Sequence, residues 1–152
     1  MNKLNLEKDI ITKRMEGIEA EIIELMKLGK ENFTKFESGP GWKLAHFHLH
    51  RALEGVFNIC AHILSKIPGG QATQYKEMAI KMGEFSIVPK KFSQTKLVEM
   101  AKYRNRLVHF YAEVSTKELY QIIQNDLGDF DIFLRTIKNV LTHPDKFDLT
   151  IE

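Results

Sequence analysis

The sequence predicts an all-α protein, an antiparallel up-and-down four-helix bundle with an additional short helix. Three observations predict it. Apolar residues recur at intervals of three and four along most of the 152 residues, and no segment makes a convincing strand. The 4 prolines and 9 glycines are also too few for the turns of an all-β domain. A chain of this length, with 43% hydrophobic residues, can bury one sizeable core.

The first two helices follow from apolar residues whose spacing places them on one helix face. The first helix is expected over about residues 5–28, with Gly29 at its end. Its apolar positions are Leu4, Ile11, Met15, Ile18, Ile22 and Leu25. A break rich in glycine and proline at residues 38–41 precedes the second helix, which should continue to the stop at residues 68–70.

A short helix and the third long helix are predicted next. The short helix is expected over about residues 73–82, with Thr73 as its N-cap, and residues 87–89 should form an extended connection. The third long helix is expected over about residues 90–112, where the apolar spacing becomes helical again.

The last long helix has the clearest start signal in the chain. Ser115 and Glu118 form a capping-box pattern, a hydroxyl followed three residues later by a carboxylate. The helix should begin there and run to His143. We therefore expect one helical domain over residues 1–144 and a loose C-terminal tail over residues 145–152.

Charge and cysteine content restrict the class of protein. Lys and Arg total 22 against 20 Asp and Glu, a net charge of +2, so contact with nucleic acid would need a local site. The single cysteine, Cys60, cannot form an internal disulfide, which favours a reducing cytoplasm. Charged residues interrupt the N-terminal apolar residues, and no stretch approaches a membrane span, so neither export nor a membrane location is expected.

The segment Tyr103–Tyr111 differs from the other helical segments because its nine residues include two arginines, an asparagine, a histidine and two tyrosines. On a helical wheel that starts at Arg104, Asn105 and His109 lie at about 100° and 140°. The apolar stripe of the same helix lies on nearly the opposite side, so His109 should point away from the core. Such a histidine could also be merely solvated.

Arginine and histidine together are the minimum pair for metal-free phosphodiester chemistry. An imidazole can exchange a proton near neutral pH, and a guanidinium binds phosphate oxygens through two parallel hydrogen bonds. His109 would move a proton at the 2′-hydroxyl or the leaving oxygen, while Arg104 stabilises the charge on the phosphate. Because the two are about 140° apart on an ideal helix, either the helix is deformed or two copies share the site. We favour a homodimer.

The pattern Arg104-x4-His109-x-Tyr111 resembles the signature of the HepT-like proteins, a branch of the HEPN superfamily also called DUF86. The second predicted helix, with Arg51 and Glu54, and the Glu118 opening of the last helix are also similar to that family. The similarity covers about residues 5–141.

The resemblance implies a dimeric bundle that acts as a toxin ribonuclease without metal or cofactor. It implies a partner antitoxin, a minimal nucleotidyltransferase of the MntA type that attaches AMP to the motif tyrosine. Arg104 and His109 would be the catalytic pair, Asn105 a polar companion that orients His109, and Tyr111 the AMP acceptor. Asn58 stands where many relatives have aspartate, which leaves open whether the second helix assists the site.

Two alternatives use the same sequence differently. The chain could be a non-catalytic helical subunit that helps a nucleotidyltransferase bind nucleotide or substrate. It could also be a metal-dependent enzyme that uses His46 and His50, which share a helix face, although His48 points about 200° away and a third ligand would be needed.

Basic residues near the motif would border an RNA groove or form a solvated face. These residues are Lys90, Lys91, Lys96, Lys102, Arg104 and Arg106.

Overall fold

A computed structural model describes residues 5–109 and 114–152. Its helices are α1 (Lys8–Leu28), α2 (Phe33–Ser38), α3 (Gly41–Ser65), α4 (Tyr75–Glu84), α5 (Lys90–Phe92), α6 (Val98–Val108), α7 (Thr116–Asn125) and α8 (Gly128–Thr142). A π-helical turn, Ser93–Leu97, joins α5 to α6, and a 3₁₀ helix, Pro144–Phe147, follows α8. Two short strands, β1 (Asn5–Leu6) and β2 (Thr150–Ile151), lie near the ends. The predicted all-α bundle is confirmed.

Helices α1 and α3 run antiparallel along the centre of the bundle. Glu7, before α1, donates its backbone N–H to His62 near the end of α3, whereas Glu21 contacts Arg51 nearer the start of α3. The helices approach closely where Ile18 faces Gly55, because a Cβ added to Gly55 would lie 2.6 Å from Ile18 Cγ1. Burial of the apolar side chains on both helices supplies the main stabilising free energy.

The smaller helices differ in detail from the sequence prediction. Helix α2 was not predicted, and the side chain of its N-cap, Asn32, accepts a hydrogen bond from Lys35 N at 2.8 Å. The N-cap of α4 is Gln74, so the prediction that Thr73 caps this helix is wrong. Helix α4 is held by the buried Ser93, whose hydroxyl donates to the carbonyl of Ala79 at 2.6 Å.

The predicted last helix is two helices, and the third long helix ends early. α7 stops at Asn125 and α8 starts at Gly128, because Asn125, Asp126 and Gly128 are weak helix formers. Ser115 accepts a hydrogen bond from Glu118 N at 3.1 Å, which confirms the predicted start of α7. α6 ends at Val108 rather than at residue 112.

The C-terminal residues are packed, so the prediction of a loose tail is wrong. β2 pairs in parallel with β1, and Glu152 N donates to Leu6 O at 2.9 Å. Leu149 is buried in the same core as Leu6. The terminal segment gains its order from this long-range pairing, and the domain boundary at residue 144 stays a prediction.

Candidate functional site

His109 stands at the point where α6 ends. Its backbone is extended, with φ −108° and ψ 126°, and its side chain is exposed. The outward direction agrees with the sequence expectation. The wheel angle of about 140° does not describe His109, since the helix has already ended at Val108. Tyr111, the predicted AMP acceptor, lies outside the described residues.

Arg104 points from α6 to α3 and α4. Its Nε donates to Glu54 Oε1 at 2.5 Å, and its guanidinium carbon lies 4.2 Å from the ring centroid of Tyr75. The side chain is 22% exposed. Arg104 Nη1 also donates to the Oδ1 of Asn105 at 3.4 Å. The predicted polar companion, Asn105, therefore contacts the arginine of the motif.

Glu54 is a site residue that the sequence analysis did not assign. Besides accepting from Arg104, its Oε1 lies 3.4 Å from the buried Nε2 of His50. The sequence feature that points to Glu54 is its carboxylate inside the strongly apolar run of α3. A carboxylate that is partly desolvated needs a partner. Glu54 holds the guanidinium by Nε and so restricts the position of Arg104.

A cavity of about 450 Å³ lies beside His109. Its polar lining comes from three parts of the chain: His46 on α3, Arg106 on α6 with His109 after it, and Ser115 and Thr116 at the start of α7. Trp42, one turn before His46 on α3, lines another part of the wall. Among the described residues, this lining includes neither Arg104 nor Asn105. One chain thus places a guanidinium and two imidazoles around the cavity, but the guanidinium is that of Arg106.

Arg106 links the end of α6 to the start of α7. Its Nη1 and Nη2 donate to the two carboxylate oxygens of Glu118 at 2.7 and 2.6 Å, and the Tyr103 hydroxyl donates to Glu118 Oε2 at 3.0 Å. The hydrogen bonds from Arg106 lower the pKa of Glu118 below its usual value. Desolvation, followed by the neighbouring Glu118, raises the pKa of Tyr103. This network fixes both ends of the connection that contains His109.

Carboxylate side chains neutralise part of the positive charge that the sequence predicts around the motif. Arg104 faces Glu54, Arg106 faces Glu118, and Lys96 Nζ lies 4.0 Å from Asp129. Lys90, Lys91 and Lys102 are exposed. The positive charge near the motif is therefore smaller than the sequence alone indicates.

The other histidines and the cysteine are placed as follows. His46 and His50 line different cavities, and within residues 5–109 and 114–152 no group of three or more His, Cys, Asp or Glu side chains is arranged to hold a metal ion. His62 Nε2 accepts from Glu7 N at 3.1 Å, and desolvation lowers its pKa. Cys60 is fully buried, and burial raises its thiol pKa far above the usual range, which is typical of an inert core thiol.

The HepT-like resemblance is confirmed by comparison with known proteins. A family model described as ribonuclease HepT-like matches residues 15–137. The chain belongs to this family. The match establishes the predicted enzyme class, a ribonuclease. Of the helices that the structure describes, none is long and apolar enough to cross a membrane.

Individual relatives are similar over nearly the whole chain. A tRNA nuclease HepT from Aphanizomenon flos-aquae (strain 2012/KM1/D3) is 25% identical over 138 residues, which are 90% of this chain and 93% of the relative. A tri-AMPylated Shewanella oneidensis HEPN toxin, solved in complex with MNT antitoxin, superposes with a TM-score of 0.77 at 22% identity. That match covers 91% of this chain and 98% of the toxin chain.

A second solved structure, a toxin–antitoxin complex with AMP-PNP, has a TM-score of 0.77 at 21% identity and covers 86% of this chain and 98% of its own. These structural matches show that this HepT-like chain shares the helical fold of HEPN toxins.

Proposed function

We propose that this HepT-like protein is the toxin of a type VII-like toxin–antitoxin module, a cytoplasmic homodimeric endoribonuclease that cleaves RNA without a metal ion. The observation that supports it most is the motif pair itself. Arg104 and His109 stand in a chain of the ribonuclease family, and the motif imidazole is exposed beside a cavity that polar and apolar side chains line. A ribonuclease needs such an accessible proton-transfer group.

His109 transfers a proton at the 2′-hydroxyl or at the leaving oxygen as the 2′-hydroxyl attacks the phosphorus, and Arg104 stabilises the phosphorane charge. Glu54 engages Arg104 through Nε, so a phosphate would bind at the Nη end of the guanidinium. Asn105 accepts from Nη1 and helps to orient that end. Cleavage by this route produces a 2′,3′-cyclic phosphate and a 5′-hydroxyl.

The separation of the two motif residues supports a site shared by two copies. Within one chain Arg104 is turned to Glu54 and Tyr75, whereas His109 borders the cavity with Arg106. In a symmetric dimer, Arg104 of one copy would reach the phosphate held at His109 of the other. The proposed catalytic residues are thus Arg104, His109 and Asn105.

We further propose that an MntA-type nucleotidyltransferase neutralises this toxin by attaching AMP to Tyr111. The similar Shewanella protein is described as AMPylated and bound to an MNT antitoxin, which supports this regulation. AMP on a tyrosine two residues from His109 would add charge and bulk beside the site. Tyr111→Phe should keep the fold but abolish AMP incorporation by the partner enzyme, as measured by mass spectrometry; an adduct on another residue would contradict this assignment.

The proposed nuclease activity is tested with labelled tRNA and other RNAs in excess chelator. Cyclic-phosphate products that disappear in His109→Ala and in Arg104→Ala support it, and His143→Ala, at an exposed position after α8, is the matched control. Cleavage that requires an added divalent cation contradicts metal independence. Intact RNA together with retained nucleotide binding supports the alternative of a non-catalytic partner subunit.

A further inference from the structure

The cavity beside His109 contains a second imidazole that the family signature does not include. His46 lies on α3, half-buried, 63 residues before His109 in the sequence, yet it lines the same cavity of about 450 Å³ as His109 and Arg106. Ser115 and Thr116, on the far side of the motif, also line this cavity. The bundle thus brings together two groups of the type that exchanges protons near neutral pH.

RNA cleavage by the 2′-hydroxyl requires two proton transfers. One group removes the proton from O2′ as the O2′–P bond forms, and another protonates O5′ as the P–O5′ bond breaks. A single imidazole has one proton to exchange and cannot be both base and acid in one concerted displacement. Arg106 stays cationic and is bonded to Glu118 on both Nη nitrogens, so it serves neither role.

We propose that His46 is the general base of the RNA-cleaving site and that His109 is its general acid, an inference that rests on the proposed nuclease function. In this order the exposed His109, which follows the last residue of α6, serves the leaving oxygen, and the half-buried His46 serves the 2′-hydroxyl. Neutral His46 takes the O2′ proton, and protonated His109 gives its proton to O5′. Each turnover moves one proton onto His46 and one from His109, and solvent restores both.

Among the described residues, the other charged side chain of the cavity lining, that of Arg106, is held by hydrogen bonds to Glu118. Arg106 comes from α6, and Glu118 from α7 lies behind it in the bidentate pair. Tyr103 donates to the same carboxylate. Within the described part of the cavity lining, the two imidazole side chains are those of His46 and His109.

The first test measures kcat/KM of the full chain with a short RNA in chelator. His46→Ala should lower kcat/KM about 10²- to 10⁴-fold, whereas His143→Ala should equal the wild type. A His46→Ala rate within about threefold of wild type, with His109→Ala inactive, overturns the role of His46 and leaves the proposed nuclease intact. Full activity in both variants refutes the proposed nuclease site as well.

The second test separates base from acid. RNA with a 5′-bridging sulfur needs no proton on its leaving group, so this substrate should restore cleavage by His109→Ala but not by His46→Ala. The reverse pattern overturns the assignment. A third measurement uses the wild-type enzyme and so does not depend on whether a variant folds. The kcat/KM of the wild type should rise and then fall as the pH increases. A profile that only rises or only falls contradicts the two-imidazole site.

Discussion

Glu118 offers the most quantitative test of how the motif segment is held. Its carboxylate accepts two hydrogen bonds from Arg106 and one from Tyr103, and it lies in the first turn of α7. Glu118→Gln removes the negative charge and keeps the length of the side chain. The substitution therefore weakens the link between α6 and α7 on both sides of His109.

The stability that Glu118→Gln is expected to lose depends on how exposed Arg106 and Glu118 are to solvent. Hydrogen bonds to a charged group contribute roughly 1.5–3 kcal/mol when shielded from water. Here the side chains of Arg106 and Glu118 are 36% and 31% exposed, so solvent screening reduces the pair to about 1 kcal/mol. The loss of a carboxylate at a helix N-terminus adds about 0.5 kcal/mol. We expect the free energy of unfolding to fall by about 1–2 kcal/mol, and Tm by about 2–8 °C.

The pH dependence has a definite sign. Hydrogen bonds from Arg106 lower the pKa of Glu118 in the folded state. The contribution of Glu118 to the free energy of unfolding is therefore complete above the unfolded pKa of about 4.3, and it is lost as the pH falls through the folded pKa. Urea unfolding at pH 7 should therefore separate Glu118→Gln from wild type, and the difference should shrink below about pH 4. Glu16→Gln, an exposed change on α1, is the control. A difference under about 0.3 kcal/mol at pH 7, or one unchanged at low pH, refutes the reasoning.

Two further substitutions test the bundle and the position of Arg104. Gly55→Ala places a Cβ 2.6 Å from Ile18 Cγ1, so α1 and α3 must separate. Urea unfolding should show that the free energy of unfolding falls by about 1–3 kcal/mol. Wild-type stability would contradict the close approach of these helices. Glu54→Gln frees the guanidinium of Arg104, and kcat/KM for RNA cleavage should fall about tenfold, with Glu16→Gln as control. Unchanged cleavage would show that Glu54 does not position Arg104.

The spacing of residues that are close in sequence predicted those parts of the fold that depend on contacts within one helix. Ile11, Ile18 and Leu25, spaced by seven residues, are all buried on α1, because helical periodicity places them on one face. The start of α7 at Ser115 was predicted for a similar reason, since the cap is a contact over three residues. The break after Asn125 was missed, because apolar spacing continues across it.

Long-range pairing explains what the sequence analysis could not locate. Glu54 meets Arg104 across 50 residues, and His46 meets the cavity of His109 only because α3 packs against α6. The order of the terminal strand depends likewise on Leu6 and Leu149, at opposite ends of the chain. Periodicity assigns a residue to a face of its own helix, but which helix covers that face is decided by packing.

The most direct test of the shared site is subunit complementation. Arg104→Ala and His109→Ala proteins are mixed under conditions that exchange subunits, and RNA cleavage in chelator is measured. A mixed dimer would combine the intact Arg104 of one chain with the intact His109 of the other, so random mixing should restore about a quarter of wild-type activity. No recovery, despite mixed dimers detected by native mass spectrometry, would contradict a site built from two copies.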